Sequence, residues 1–274
     1  MPVHLNKGTY MGRIALAGLP LWILCGLIAA MLISIELGYR TGLRHRAPKS
    51  HRTVSSTVKA SVFGLLGLLI AFTFAGAGER FDHRRMLVAE EANAIEKAYL
   101  RIDLLPPESQ PQLRDDFRAY IRGRLAVTRN LPNADMKGLD TDLKQLSILQ
   151  HKIWEEAVNA TKGIAPATQA LVLSGLNEMM DVAGLRTVGF ISHLPFLVLA
   201  LLTVTAFLGC FLIGYSMSVS EARDWLSDII FAVVISTAIY VILDYEYPRA
   251  GFIRVDAVDQ LLVQTMERID GNEP

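Results

Sequence analysis

A group of charged side chains directly follows one apolar segment of the chain and offers the clearest candidates for chemistry. Its members are Glu79, Arg80, Asp82, Arg84, Arg85, Glu90 and Glu91. With Asp181 from a later segment, these charges could line an ion vestibule, and the carboxylate oxygens could hold a hard cation. The alternative is a belt of solvated salt bridges at the level of the lipid headgroups. No EF-hand spacing is present, and we assign no metal site.

Small residues recur with helical spacing in the apolar segment before this group. A helical wheel places Ala60, Gly64, Gly67, Ala71, Ala75 and Gly78 within about 80° of one another, with phenylalanines beside them. One interpretation is a pore-lining face, on which the aromatic rings form a dewetting constriction. Its candidate residues are Phe63, Gly67, Ala71, Phe74 and Gly78. The other interpretation is close helix packing, within a subunit or between subunits.

The last apolar segment carries a carboxylate at each end. Asp228 precedes it, and Asp244 and Glu246 follow it. Carboxylates at such depths are costly and often functional. They serve equally well as interfacial caps, because the start of a helix favours negative charge.

Enzyme signatures are absent from the sequence. There is no G-x-S-x-G, no P-loop, no H-E-x-x-H and no dinucleotide-binding fingerprint. His83, His151 and His193 are isolated, and both cysteines, Cys25 and Cys210, lie inside apolar segments. We therefore predict no enzyme activity, no catalytic residue, no cofactor and no zinc site.

Four long apolar segments, near residues 14–37, 60–77, 190–215 and 229–243, must position these candidates. Apolar residues make up 51% of the chain, whose mean hydropathy is +0.32, and the excess is concentrated in these four segments. A bilayer core needs roughly 20 apolar residues per helix, so we predict a multi-pass membrane protein. The 27 basic residues balance the 27 acidic ones. That balance leaves no field to attract nucleic acid.

The charge of the short loop between the first two segments predicts the orientation. Residues 38–59 contain basic side chains and no acid, and short basic loops stay in the cytoplasm. We expect this loop to face the cytoplasm from the cell (inner) membrane, with the large polar block on the opposite side.

The polar block between the second and third segments shows helical spacing throughout and no alternation of period two. Breaks are expected at Pro106-Pro107, around Pro132 and at Gly163–Pro166. We predict an all-α protein with an antiparallel helical bundle between the second and third membrane helices. The predicted divisions are membrane helices 1 and 2 at 1–79, the bundle at 80–187, membrane helices 3 and 4 at 188–250, and a tail at 251–274.

Several strings resemble the bacterial bestrophin-like membrane family, a domain of unknown function. They are Phe72–Phe74, Arg80–Arg85, Val88–Ile95 and Ala98–Pro106, with weaker blocks at Glu36–Arg40, Leu176–Asp181, Ile242–Asp244 and Pro248–Val255. The resemblance covers nearly the whole chain. It implies kinship with bestrophins, which are pentameric anion channels with four membrane helices per subunit and a phenylalanine-lined neck.

The leading functional hypothesis is an oligomeric ion channel whose second membrane helix lines the pore. Arg80, Arg84 and Arg85 at its mouth favour anions. The expected partners are the lipid bilayer, further copies of the chain and a small inorganic ion. The alternative is a non-conducting membrane sensor or scaffold whose helical bundle binds a partner or ligand.

Overall fold

A computed structural model describes residues 21–44, 52–130, 136–218, 225–247 and 256–271. These residues form eight α-helices and one 3₁₀ turn. The helices are α1 (Leu21–Arg44), α2 (Arg52–Leu100), α3 (Gln110–Asn130), α4 (Met136–Ala160), α5 (Pro166–Ile191), α6 (Phe196–Met217), α7 (Trp225–Glu246) and α8 (Asp256–Gly271). The 3₁₀ turn, Arg101–Leu104, follows α2 directly. Part of the loop 38–59, the Pro132 break and the string Pro248–Val255 lie outside the described residues.

The all-α prediction and the four membrane segments are confirmed. Helices α1, α6 and α7 and the first part of α2 are each long and apolar enough to cross a bilayer. One boundary differs from the prediction: residues 192–195 are not helical, and α6 begins only at Phe196. The cause is Pro195, which precedes α6 with an extended backbone and restricts the residue before it.

The described chain divides into two compact units. The membrane unit contains Pro20–Met86 and Thr187–Ile253, and the bundle unit contains Leu87–Arg186 together with the C-terminal residues from Arg254. The divisions fall inside α2 and α5, so both helices contribute residues to each unit.

In the membrane unit, α1 and α6 run parallel and pack backbone against backbone. A side chain at Gly38 would overlap the carbonyl of Phe211, and one at Gly214 would overlap the carbonyl of Ile35. The Ser34 hydroxyl donates to the Phe207 carbonyl at 2.9 Å. Small residues at such spacing permit close approach in lipid, where dispersion rather than water exclusion drives association.

Aromatic contacts join α2 to α7. The ring of Phe63 meets Phe231 edge-on at 5.5 Å, and the ring of Tyr245 meets Phe74 at 5.6 Å and Phe81 at 5.4 Å. Edge-to-face pairs of this kind add about 0.5–1.5 kcal/mol beyond their buried area. Helix α7 therefore supports α2 along one side over much of its membrane segment.

The bundle unit is built on the end of α2 and on α3, α4, α5 and α8. Its apolar core includes Tyr99, Phe117, Ile153, Met179 and Leu262, one from each of these helices. The breaks fall where the sequence predicts them: α2 and its 3₁₀ turn stop before Pro106, and Gly163 takes a positive φ of 84° between α4 and α5. Glycine adopts that conformation without steric cost.

Replacing Gly214 with alanine should destabilise the membrane unit. The added methyl group would overlap the Ile35 carbonyl, and overpacking of this kind costs about 1–3 kcal/mol. The matched control is Gly26→Ala on α1, where nothing lies within 4 Å of an added Cβ. Thermal unfolding in detergent should show a lowered midpoint for Gly214→Ala only; equal midpoints would contradict the close contact.

Candidate functional site

No residue that the structure describes covers one side of the membrane segment of α2. Gly64 and Gly67 have nothing within 4 Å of an added Cβ, and Ala71 and Ala75 are exposed. Close packing of this stripe inside the chain, one of the two interpretations of its small residues, therefore does not occur at these positions. In the membrane unit, the described glycines against which another helix packs are on α1 and α6. We call the uncovered side of α2 its open face.

The five candidate pore-lining residues separate into two groups. Gly67 and Ala71 lie on the open face, and Gly78 has nothing within 4 Å of an added Cβ. Phe63 lies on the covered side of α2, where it packs against Phe231 and over Gly209. Phe74 is intermediate, because it contacts Tyr245 and remains 44% exposed.

The bulkiest side chain on the open face is one that the sequence interpretation left out. Phe72 is 69% exposed, and Leu68, one turn before it, is 52% exposed. A signal existed, since Leu68, Phe72, Ala75 and Glu79 step by four, three and four residues. That signal identifies a helix face but does not say whether another helix covers it.

The open face differs from the exposed side of α6. The exposed residues of α6 are all large and apolar: Phe196, Leu197, Leu201, Val204 and Leu208. Such a surface suits lipid chains. The open face of α2 instead includes four small residues, which offer little area to lipid and suit a neighbouring helix or a narrow path.

A buried carboxylate holds α2 at the end of its apolar segment. Glu246, the last residue of α7, is 3% exposed and accepts a hydrogen bond from Arg80 Nε at 2.7 Å on Oε1. Its Oε2 accepts one from the Leu194 backbone N–H at 3.0 Å, just before α6. Arg84 Nη2 lies 3.9 Å from the same oxygen. We call Glu246, Arg80, Arg84 and the Leu194 N–H the clamp.

Arg84 caps the C-terminal ends of α5 and α7. Its guanidinium is buried and donates to the carbonyls of Gly189 at 3.0 Å and Ser192 at 2.6 Å, at the end of α5. It also donates to the carbonyls of Glu246 at 3.1 Å and Tyr245 at 3.4 Å, at the end of α7. The last carbonyls of a helix lack partners and carry negative partial charge, so a cation is favoured there.

The remaining charged candidates are exposed. In the membrane unit, Glu79 and Asp82 are exposed on α2, and Arg85 approaches Asp82 at 3.8 Å; in the bundle unit, Glu90 is exposed. In the bundle unit, Asp181 is exposed on α5. Within the described ranges, no three His, Cys, Asp or Glu side chains come together in a way that could hold a metal ion.

In the bundle unit, Glu91 is the centre of a buried ion cluster. Its carboxylate is paired with Arg124 Nε at 2.5 Å and with Arg186, which also donates to the Thr128 hydroxyl at 3.0 Å. Burial raises the pKa of Glu91, but the guanidinium groups of Arg124 and Arg186 outweigh it and hold the pKa below its usual value. Glu91 thus joins α2, α3 and α5 as an ionised side chain and is not part of an exposed vestibule.

A family model for the bestrophin-like domain matches residues 25–259. The chain belongs to the bestrophin-like family. A search of curated proteins found no match for this bestrophin-like chain.

Solved structures share the fold of this bestrophin-like chain. A tryptophan-to-alanine variant of the bacterial bestrophin homolog from Klebsiella pneumoniae matches with a TM-score of 0.69 at 12% identity, covering 93% of this chain and 99% of that one. The same homolog solved by zinc phasing gives a TM-score of 0.63 at 14% identity, covering 93% and 99%. A structure described as a membrane protein variant gives 0.65 at 13% identity, covering 90% and 99%. At these identities the likeness establishes the fold.

Two members of the buried ion clusters in this bestrophin-like chain were not predicted from the sequence. Glu246 was an end-of-helix carboxylate without an assigned partner, and Arg124 was not singled out. Arg186 on α5 is the second partner of Glu91. The one available signal for Arg124 is its position on the apolar side of α3, one turn after Tyr120-Ile121.

Replacing Glu91 with glutamine should lower the stability of the bestrophin-like chain's bundle by about 3–5 kcal/mol near neutral pH, because two guanidinium groups stay buried without their carboxylate. Since the folded-state pKa lies below the ordinary value of 4.5, the contribution of Glu91 is present above that pH and is lost as the pH falls through the folded-state pKa. Denaturant unfolding in detergent over a pH series measures both effects.

The matched control for that experiment is Glu90→Gln, one residue earlier and exposed. It should change stability by less than about 0.5 kcal/mol. Equal losses for the two variants, or an unchanged acid limb in Glu91→Gln, would contradict the ionised cluster.

Proposed function

We propose that this bestrophin-like chain assembles into a homo-oligomer and conducts ions along the open face of α2. The observation that carries the proposal is the uncovered stripe of Gly64, Gly67, Ala71 and Ala75, anchored from the opposite side by α7. Kinship with bestrophins makes a channel the expected activity. We assign the chain no catalytic role.

The geometry supports further copies of the chain around α2. The four small residues of the open face offer less area to lipid than the large exposed residues of α6 do, and they permit close approach of a neighbouring helix. Packing α2 helices of several copies around a common axis would cover this face and leave a narrow path. Phe72 and Leu68 supply the bulk for an apolar constriction along such a path.

The charges at the end of the apolar segment favour cations in this proposal. Three arginines in the sequence, Arg80, Arg84 and Arg85, favour anions. Arg80 and Arg84, however, are engaged in the clamp. In the membrane unit, the exposed side of α2 carries Glu79 and Asp82, with Arg85 as an exposed guanidinium. In an oligomer, each carboxylate becomes a ring, and rings of acids attract cations.

Cysteine accessibility in planar bilayers tests the path. Ala75→Cys, in a background with Cys25→Ala and Cys210→Ala, should react with a charged thiol reagent and lose most of its current, because a conducting path is wet. Leu208→Cys on α6 is equally exposed in the single chain but should face lipid and stay unmodified. Reaction at Leu208 alone would contradict the assignment of α2.

The same recordings give the ion preference. A salt gradient should give a reversal potential of the sign for cations, and Glu79→Gln with Asp82→Asn should move it toward zero. An anion-sign potential unchanged in that variant would overturn the charge argument. Silent bilayers with a folded oligomer would favour the sensor or scaffold function.

We also propose that loop 38–59 faces the cytoplasm and that the bundle unit faces the other side of the inner membrane, on the basis of the loop's charge. Glu155→Cys on α4, where the native side chain is 64% exposed, provides the test in the same cysteine-free background. An impermeant maleimide should label it in cells with a permeabilised outer envelope and an intact inner membrane. Labelling only after the inner membrane is broken would reverse the orientation.

A further inference from the structure

In the membrane unit, the contacts that hold the exit of α2 lie on one side of the helix. The rings of Phe74 and Phe81 contact Tyr245, and Arg80 and Arg84 contact the end of α7. Gly64 and Gly67 on the open face meet nothing within 4 Å. Among the described residues, Gly64 and Gly67 add no contact on that side, so the exit of α2 is held by Tyr245 and the clamp.

The clamp joins the ends of several helices through one carboxylate. Its Oε1 binds α2 through Arg80, and its Oε2 binds the start of α6 through the Leu194 N–H. Arg84 binds the carbonyl ends of α5 and α7. A change at Glu246 therefore acts on α2, α6 and α7 together, while its own side chain is buried and away from the open face.

A small, partly open pocket lies beside Glu246. Its volume is about 20 Å³, and its lining includes His193, Leu199, Glu246 and Tyr247. That volume holds one water molecule, which needs about 10–15 Å³. The Tyr247 ring and the His193 ring, with centroids 5.1 Å apart, form part of its wall. The Glu246 carboxylate therefore borders a water-sized space on one side.

We propose that Glu246 is a positioning residue of the ion path, which fixes the exit of α2 through the clamp and thereby sets how often the path is open. The proposal rests on the proposed channel function. Glu246 does not line the path, so its effect is on the equilibrium between open and closed states and not on the ions that pass. A contact that differs in strength between two conformations shifts the equilibrium between them.

Single-channel recording of reconstituted oligomers tests this inference. Glu246→Gln should change the ratio of open to closed time by about tenfold, the size expected when one charge-assisted hydrogen bond is lost from one of two states. The unitary conductance and reversal potential should equal those of the unmodified channel. Glu246→Asp, which keeps the charge on a shorter side chain, should give a smaller change in the same direction.

Two further variants guard against misfolding. Arg80→Gln combined with Glu246→Gln leaves no unpaired charge between these two positions, and it should fold and shift the open ratio as Glu246→Gln does. Glu155→Gln, exposed on α4, is the inert control. Size-exclusion profiles and thermal midpoints report folding for each oligomer.

The outcomes separate this inference from the channel proposal. Absence of current from the unmodified, folded oligomer overturns both. A conducting channel in which folded Glu246→Gln changes unitary conductance or selectivity, or leaves the open ratio unchanged, overturns the positioning role alone. Failure of every clamp variant to fold would make the clamp purely structural and would overturn it as well.

Discussion

Each of the two units depends on the neutralisation of one buried carboxylate that fixes its part of α2. In the membrane unit, Glu246 neutralises Arg80, and carbonyl ends of helices satisfy Arg84. In the bundle unit, Glu91 of α2 is enclosed by Arg124 and Arg186. An unpaired charge in either place costs several kcal/mol, so rotation of α2 about its own axis would be strongly unfavourable. The open face is the side of the membrane segment of α2 that makes none of these contacts.

Much of the fold follows from local sequence. The four membrane segments and the bundle helices were predictable because apolar length and the helical repeat are local properties. The breaks at Pro106 and Gly163 were predictable because they follow from backbone sterics. Pro195 is compatible with a kink or with a helix boundary, so the sequence alone did not decide that residues 192–195 leave the helix.

The site was less predictable because its features depend on which neighbour covers which side. Phe72 and Phe74 are two residues apart and equally aromatic, yet α7 lies beside Phe74 and leaves Phe72 exposed. The same holds for glycine: Gly38 and Gly214 carry a helix contact, whereas Gly64 meets no other side chain. Charge composition gave Arg80 a role at an open mouth, but its partner, Glu246, lies 166 residues later in the chain.

The parallel pairing of α1 with α6 has a consequence for biogenesis. Ser34 and Phe207, which touch in the finished protein, are separated by 173 residues of chain. At about 5–20 residues per second, a ribosome needs roughly 10–35 s to make that stretch. During this interval the glycine-containing surface of α1 lies in the lipid without its contact to α6. The α1–α6 pair can therefore form only after synthesis of α6, well after α1 has been made.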